Sequence, residues 1–236
     1  MGCGPSTVAD DTADRGIDLK LAATHPYEPG SPESDYWQAR NELAMAARRL
    51  NEKLVSTDIP PDLASELTEQ IESLSSQLSE LDQVAGLVDM GRRPSRGSID
   101  NVMGELVAMA GRSHPCAPEL TWHEGTNRIT GTVVFGQAFE GPPGHAHGGW
   151  VAGILDHIMG MTHVRTGHPG MTGGLSIRYL KPTPLNKTIE INAEATELDA
   201  RRTEVKATMQ WGDVITATAE AIFVRVDSAK FGFDAA

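Results

Sequence analysis

The chain is 236 residues long, room for one large domain or a domain with an appendage, and carries 20 Lys and Arg against 32 Asp and Glu, a net charge of −12. No basic cluster suggests nucleic acid, no apolar run approaches a membrane span and no signal peptide is visible, so a cytoplasmic protein with neither nucleic-acid nor membrane partners is expected. Cys3 and Cys116 are too few for a disulfide framework and lie in no metal-ligand spacing.

Residues 1–34, rich in Gly, Pro, Ser, Thr and Asp, read as an irregular arm. Its first six residues fit a loose myristoylation pattern, but Asp10, Asp11 and Asp14 oppose anchoring on an anionic membrane, and the match is read as chance. Two amphipathic helices follow. The first, over residues 35–55, repeats Leu43, Ala47, Leu50 and Leu54; the second, over 61–85, repeats Leu63, Leu67, Ile71, Leu74, Leu78 and Leu81. They are expected to form a helical hairpin packed on the body or on its copy in a dimer. Residues 91–97, with Arg92, Arg93 and Arg96 between glycines, read as a linker. The chain therefore divides into an arm with hairpin, 1–97, and a second domain, 98–236. In the latter, Ser98 caps a helix over 99–110, with Val102, Leu106 and Met109 on one face.

From Pro118 the pattern turns to strands. Residues 120–123 and 129–135 flank a turn-like tetrad, Glu124 to Asn127, and predict a hairpin. Four more strands are expected over 172–180, 187–198, 201–211 and 213–226, with tight turns at Asp199-Ala200 and Gly212-Asp213. Ile189, Ile191, Ala193 and Ala195 alternate with polar residues, as do Val205, Ala207, Met209 and Trp211, so the sheet is antiparallel with one wet face. Two strands, a long helix and four strands give an α+β order.

That helix begins after the Pro/Gly loop 141–145 and is apolar nearly all round, as a buried helix is. Gly149, Gly153, Asp156 and Gly160 form one stripe along it. A carboxylate there is costly unless paired or put to use. Asp156 is either a structural partner of Arg165, Arg178 or another base, or a general base or nucleophile beside a groove that glycines leave open. At the start of the helix, the amides of Gly148 and Gly149 have no side chain in front of them and could stabilise an oxyanion. The histidines nearby, His145, His147, His157, His163 and His168, share no metal-site geometry, and no metal is expected.

His147-Gly148-Gly149, Asp156, Gly160, Thr172 and the run from Tyr179 to Leu185, Tyr-Leu-Lys-Pro-Thr-Pro-Leu, stand in an order and spacing that resembles the hotdog-fold acyl-CoA thioesterases. The branch it is most similar to is the phenylacetate-pathway type with its mammalian thioesterase-superfamily relatives, and the likeness covers about residues 115–228. The resemblance implies a hotdog fold, an antiparallel sheet wrapped around the helix over 150–166. It implies Asp156 as the group that activates water or attacks the thioester carbonyl, and Gly149, with Gly148, as the oxyanion site. It matches His147 to the family's catalytic His, the alternatives being a loop His that hydrogen-bonds backbone or an orienting group rather than a base, and gives Thr172 the role of orienting water or carboxylate. Arg178 and Lys181 on the outgoing strand, and Arg201 and Arg202 on the hairpin beyond, would contact the nucleotide. The substrate would be an acyl-CoA, with CoA part of the substrate and no separate cofactor, and the enzyme of lipid metabolism would be a homodimer or tetramer. Two rivals stay open: a hotdog enoyl-CoA hydratase, although its usual Asp-x-Asn-x-x-His loop is absent, and a non-catalytic acyl-CoA-binding scaffold.

Overall fold

A computed structural model describes Tyr27 and residues 30–226, so the arm reading falls largely outside the described residues, as does the match at residues 1–6. Among the described residues four helices come first: α1 (Pro32–Ser56), α2 (Pro61–Ser79), α3 (Leu87–Gly91) and α4 (Ile99–Leu106). Then come β1 (Glu119–Gly125), β2 (Arg128–Val134), a 3₁₀ turn (Gln137–Phe139) and α5 (Gly148–Val164). The chain closes with β3 (Gly170–Tyr179), β4 (Thr188–Glu197), β5 (Arg202–Trp211) and β6 (Val214–Arg225).

The six strands form one sheet in the order β1-β2-β4-β5-β6-β3, antiparallel throughout. α5 packs across it, touching β2 to β6. The alternation seen in the sequence is the reason: Ile189, Ile191, Ala193 and Ala195 of β4 and Val205, Ala207 and Met209 of β5 are buried against Val151, Ile154, Leu155, Ile158 and Met159 of α5. Trp211 breaks its series; it lies at the end of β5, 45% exposed. This is the hotdog arrangement, and the α+β expectation is met. No helix among the described residues is long and apolar enough to cross a membrane.

The N-terminal helices depart from the hairpin pattern. α1 begins cleanly, with Ser31 accepting from the Ser34 amide, Pro32 in the first turn and Glu33 and Asp35 facing the helix dipole. It meets the body through Trp37, Asn41, Ala44, Arg48 and Glu52, not through its leucine stripe. Trp37 is fully buried with Met90 and Val102, and its indole N–H donates to Arg96 O. The Arg48 guanidinium donates to Gly111 O, Arg112 O and His114 O, and Asn41 to Arg112 O. Glu52 accepts from the Gln137 and Ala138 amides at 2.7 and 3.0 Å, capping the 3₁₀ turn after β2. α2 buries none of its residues and has no more than slight contact with any other element among the described residues. It also stops at Ser79, six residues short of the expected end, where Gln83 turns back to cap Leu78 O and Leu81 O.

α4 is likewise shorter than its pattern. It ends at Leu106 because Val107 turns extended, at φ −60° and ψ 138°. The fully buried Glu105 carboxylate then binds the Arg112 guanidinium and the Ser113 hydroxyl, which orders residues 107–113 as a loop. Met109 therefore leaves the helix face assigned to it.

Candidate active site

Two sequence motifs meet at the start of α5. Residues 140–147 are held by main-chain bonds from the 3₁₀ turn and from residues 183–185: His147 N–H donates to Phe139 O, Ala146 N–H to Thr183 O and Leu185 N–H to Gly144 O. The His-Gly-Gly and Lys-Pro-Thr-Pro-Leu segments occur together because the second clamps the loop that delivers the first. Tyr179, the first residue of the Tyr-Leu-Lys-Pro-Thr-Pro-Leu run, donates its hydroxyl to Gly148 O at 2.9 Å. His147 is the N-cap: its carbonyl accepts from Trp150 and Val151, and its ring Nδ1 accepts the Gly149 amide at 3.0 Å. The Gly149 N–H assigned to an oxyanion thus already faces an acceptor, while the Gly148 N–H has none among the described residues.

Asp156 lies two turns further along α5, half-buried. Thr172 donates its hydroxyl to Asp156 Oδ1 at 2.9 Å, so the strand threonine and the helix carboxylate are brought together as expected. Among the described residues no base pairs with Asp156. Arg165 is bound to Glu124 at 2.6 Å. Arg178 lies between Ile177, which packs on the core, and Tyr179, which reaches the helix, so pleating turns it to the opposite face of the sheet. The structural pairing with Arg165 or Arg178 is not made.

Beside Asp156, His157 packs edge-on against Trp122, ring centroids 6.0 Å apart, and burial lowers its pKa to about 4 against the opposing charge of Asp156. One turn before Asp156, Gly153 is covered by Met109: a Cβ at Gly153 would stand 2.8 Å from its sulfur and its terminal methyl. Met109 holds φ +75°, a left-handed conformation unusual for a side chain of its size, in the loop that Arg48 and Asn41 fasten from α1. Sequence periodicity missed Tyr179, Met109 and the Trp122–His157 contact. Only the Tyr179 position carried a signal, its place in the family motif.

The cationic candidates fall into two groups. Met171, Val224 and Arg202 lie in one row across β3, β6 and β5, and Thr172, Phe223 and Thr203 in the next. With strands about 4.8 Å apart, Arg202 stands roughly 10 Å from the Thr172 end of β3. Arg201, Arg202, Asp199, Ala200 and Val224 line an open depression there. The Arg202 guanidinium is bound to Asp199 at 2.7 Å, whereas that of Arg201 has no ion pair among the described residues. Arg178 and Lys181 sit at the other end of β3, by Tyr179 and the start of α5. No three His, Cys, Asp or Glu among the described residues converge on a metal site.

An antiparallel six-stranded sheet wrapped on a buried helix defines a hotdog protein. Residues 143–210 match the model described as Thioesterase superfamily, which spans the loop, α5 and β3 to β5, so the resemblance seen in the motifs is borne out. Two relatives are described as Acyl-coenzyme A thioesterase THEM4. The one from Rattus norvegicus is 32% identical over 113 residues, 47% of this chain and 49% of its own length. The one from Mus musculus is 34% identical over 97 residues, 40% of this chain and 42% of its own. The chain thus spans about half the length of the curated relatives it matches. A crystal structure described as a thioesterase superfamily protein superposes with a TM-score of 0.65 at 26% identity, covering 84% of this chain and 97% of that one. That coverage exceeds the sheet and α5, so the shared structure takes in the N-terminal helices.

Proposed function

We propose that the chain hydrolyses acyl-CoA thioesters to free acid and CoA. The observation that carries this reading is the Asp156 carboxylate. It sits on a largely apolar helix, is paired with no base among the described residues, and is oriented by the Thr172 hydroxyl at 2.9 Å. A carboxylate so held is free to take a proton from water, or to attack the carbonyl itself. The oxyanion falls to the amides of Gly149 and Gly148. His147 Nδ1, 3.0 Å from Gly149 N, marks where an acceptor sits before substrate arrives, and the ring swings aside when the oxyanion takes its place.

The two halves of this chemistry are seven residues apart, about 10 Å at 1.5 Å per residue, so one chain cannot bring both within about 3 Å of one carbonyl. A homo-oligomer supplies the remedy. β3 is an edge strand, exposed along most of its length. Antiparallel pairing of two β3 strands about a two-fold axis sets the Tyr179 end of one copy beside the Thr172 end of the other. The Gly148 and Gly149 amides of one chain then face the Asp156 of its partner. The same pairing brings Arg178 and Lys181 toward the end that already holds Arg201 and Arg202, giving the CoA phosphates cations from both copies.

Release of free thiol from a panel of acyl-CoAs, with hydration of an enoyl-CoA followed in parallel, tests the reading. Thiol release is expected without hydration. Hydration alone would install the hydratase, and tight binding of acyl-CoA with neither reaction would install the scaffold.

A further inference from the structure

The two helices that precede the linker each leave an apolar stripe uncovered. α1 turns Trp37, Asn41, Ala44, Arg48 and Glu52 to the body. Its leucines lie on another face, with Leu43 62%, Leu50 40% and Leu54 39% exposed. On α2 the exposures are 44% for Leu63, 40% for Ile71, 58% for Leu74 and 56% for Leu78. Single exposed leucines are ordinary; two continuous stripes on neighbouring helices are not. A helix of 19 residues standing clear of the body is marginal without a partner for its apolar face.

Charge and chain geometry say what that partner is. α2 carries Asp62, Glu66, Glu69 and Glu72 and no Lys or Arg, so two α2 helices laid together would oppose like charges. The exposed half of α1 that bears Leu50 and Leu54 carries Arg49 and Lys53. α2 therefore complements α1 in both apolar pattern and charge. Within one chain the joint works against closure. Thr57 and Pro60 are both extended, at ψ 133° and 146°, and Pro61 follows, which keeps the residue before it extended. Among the described residues α2 has no more than slight contact with its own α1.

We infer that α2 of one copy docks along the Leu43, Leu50 and Leu54 stripe of α1 in a second copy, and receives the reciprocal contact. Exchange of an identical element through a short hinge is a common route to a pair. Reciprocity also doubles the area of a single helix contact, toward the roughly 1,200–2,000 Å² that stable interfaces bury. The inference is independent of the catalytic reading.

Cross-linking of the full chain tests it. With Cys3→Ser and Cys116→Ser removing both native thiols, Leu50→Cys is placed in a chain with one tag. Leu67→Cys, Ile71→Cys and Leu74→Cys are placed singly in chains with another tag, to scan the register. Refolding the two together under oxidising conditions should give a mixed-tag disulfide pair as the main product for one of the three. Carrying both cysteines in one chain should still give the intermolecular product. Glu66→Lys with Glu69→Lys should lower the yield several-fold, and Arg49→Glu with Lys53→Glu should restore it. A cross-link within one chain, a pair formed by Leu74→Cys with itself, or no cross-link in any register overturns the exchange. Loss of yield without rescue does the same.

Discussion

The start and the middle of α5 (Gly148–Val164) are built from the same materials, glycines on a buried helix facing an edge strand, yet they do opposite electrostatic work. At the start the backbone presents the amides of Gly148 and Gly149, locked by the His147 cap and the Tyr179 hydroxyl. In the middle, a side chain presents Asp156, locked by Thr172. A positive site made of backbone cannot be deleted by truncating a side chain, whereas a negative site made of one carboxylate can. The difference makes the helix separable: each site can be broken alone, and under the proposed pairing of β3 strands a partner copy brings the two together.

The carboxylate site should break hardest. Asp156→Asn keeps an acceptor for the Thr172 hydroxyl but cannot take a proton at neutral pH. It is expected to lower kcat by roughly 100-fold or more, the range of a general base, with an unchanged melting temperature. Because no base is paired with Asp156, loss of the charge strands no cation; a lower melting temperature with normal kcat per folded molecule would return Asp156 to a structural role. The amide site can be broken by Gly148→Pro. His147 already has φ −64° and ψ 133°, the conformation a following proline favours, and proline is well tolerated at the first helical position. Mixing the two crippled chains should restore about a quarter of the wild-type rate, since half the pairs are hybrids with one intact site. Mixtures that stay as slow as their parents would confine each site to one chain.

Much of this was legible in the sequence, and the limits have physical reasons. Period-two alternation located β4 and β5, because a sheet with one wet face must alternate. The glycine stripe around Asp156 pointed to the candidate site, because a carboxylate on a largely apolar helix has few explanations. Helix periodicity failed where contacts are polar. The leucines of α1 announced an apolar face, but the face on the body holds Arg48, Asn41 and Glu52, which bind carbonyls and amides more than 60 residues away. Met109 was assigned to a helix face by its spacing, and its left-handed backbone in a loop carries it to Gly153 instead. Contacts set by a loop's conformation leave no periodic trace.

Next to the carboxylate, His157 supplies a pH test of how that part of the helix is packed. Its folded pKa of about 4 lies below the 6.5 of a free histidine, so the unfolded chain binds a proton that the native one refuses. Stability from this group is complete above about pH 6.5 and is lost as pH falls toward 4, by on the order of 1–3 kcal/mol. Burial lowers His163 in the same direction, so the two add. Denaturant melts of the wild type and of His157→Gln between pH 7 and 4 should show a shallower decline in the variant. Parallel curves would show that His157 is hydrated and that Trp122 does not seal this side of the helix.

The smallest effect separates two neighbours in the cationic depression near the Thr172 end. Arg202 is held by Asp199, whose carboxyl pKa is lowered by the Arg201 amide and by the Arg202 side chain. A CoA phosphate recruiting Arg202 must compete with that carboxylate, whereas the guanidinium of Arg201, on the same turn, has no ion pair to break among the described residues. Arg201→Ala should therefore raise KM for an acyl-CoA a few-fold with kcat little changed, the signature of binding shared by ground and transition states. Arg202→Ala should do less, and both changes should fade with a short thioester that lacks the nucleotide. Asp199→Asn sharpens the contrast: freeing Arg202 should lower KM in the presence of Arg201 and partly offset its loss in Arg201→Ala. Equal losses on nucleotide-bearing and short thioesters would take both arginines out of substrate binding, leaving Arg178 and Lys181 of the opposite end as the cations for the phosphates.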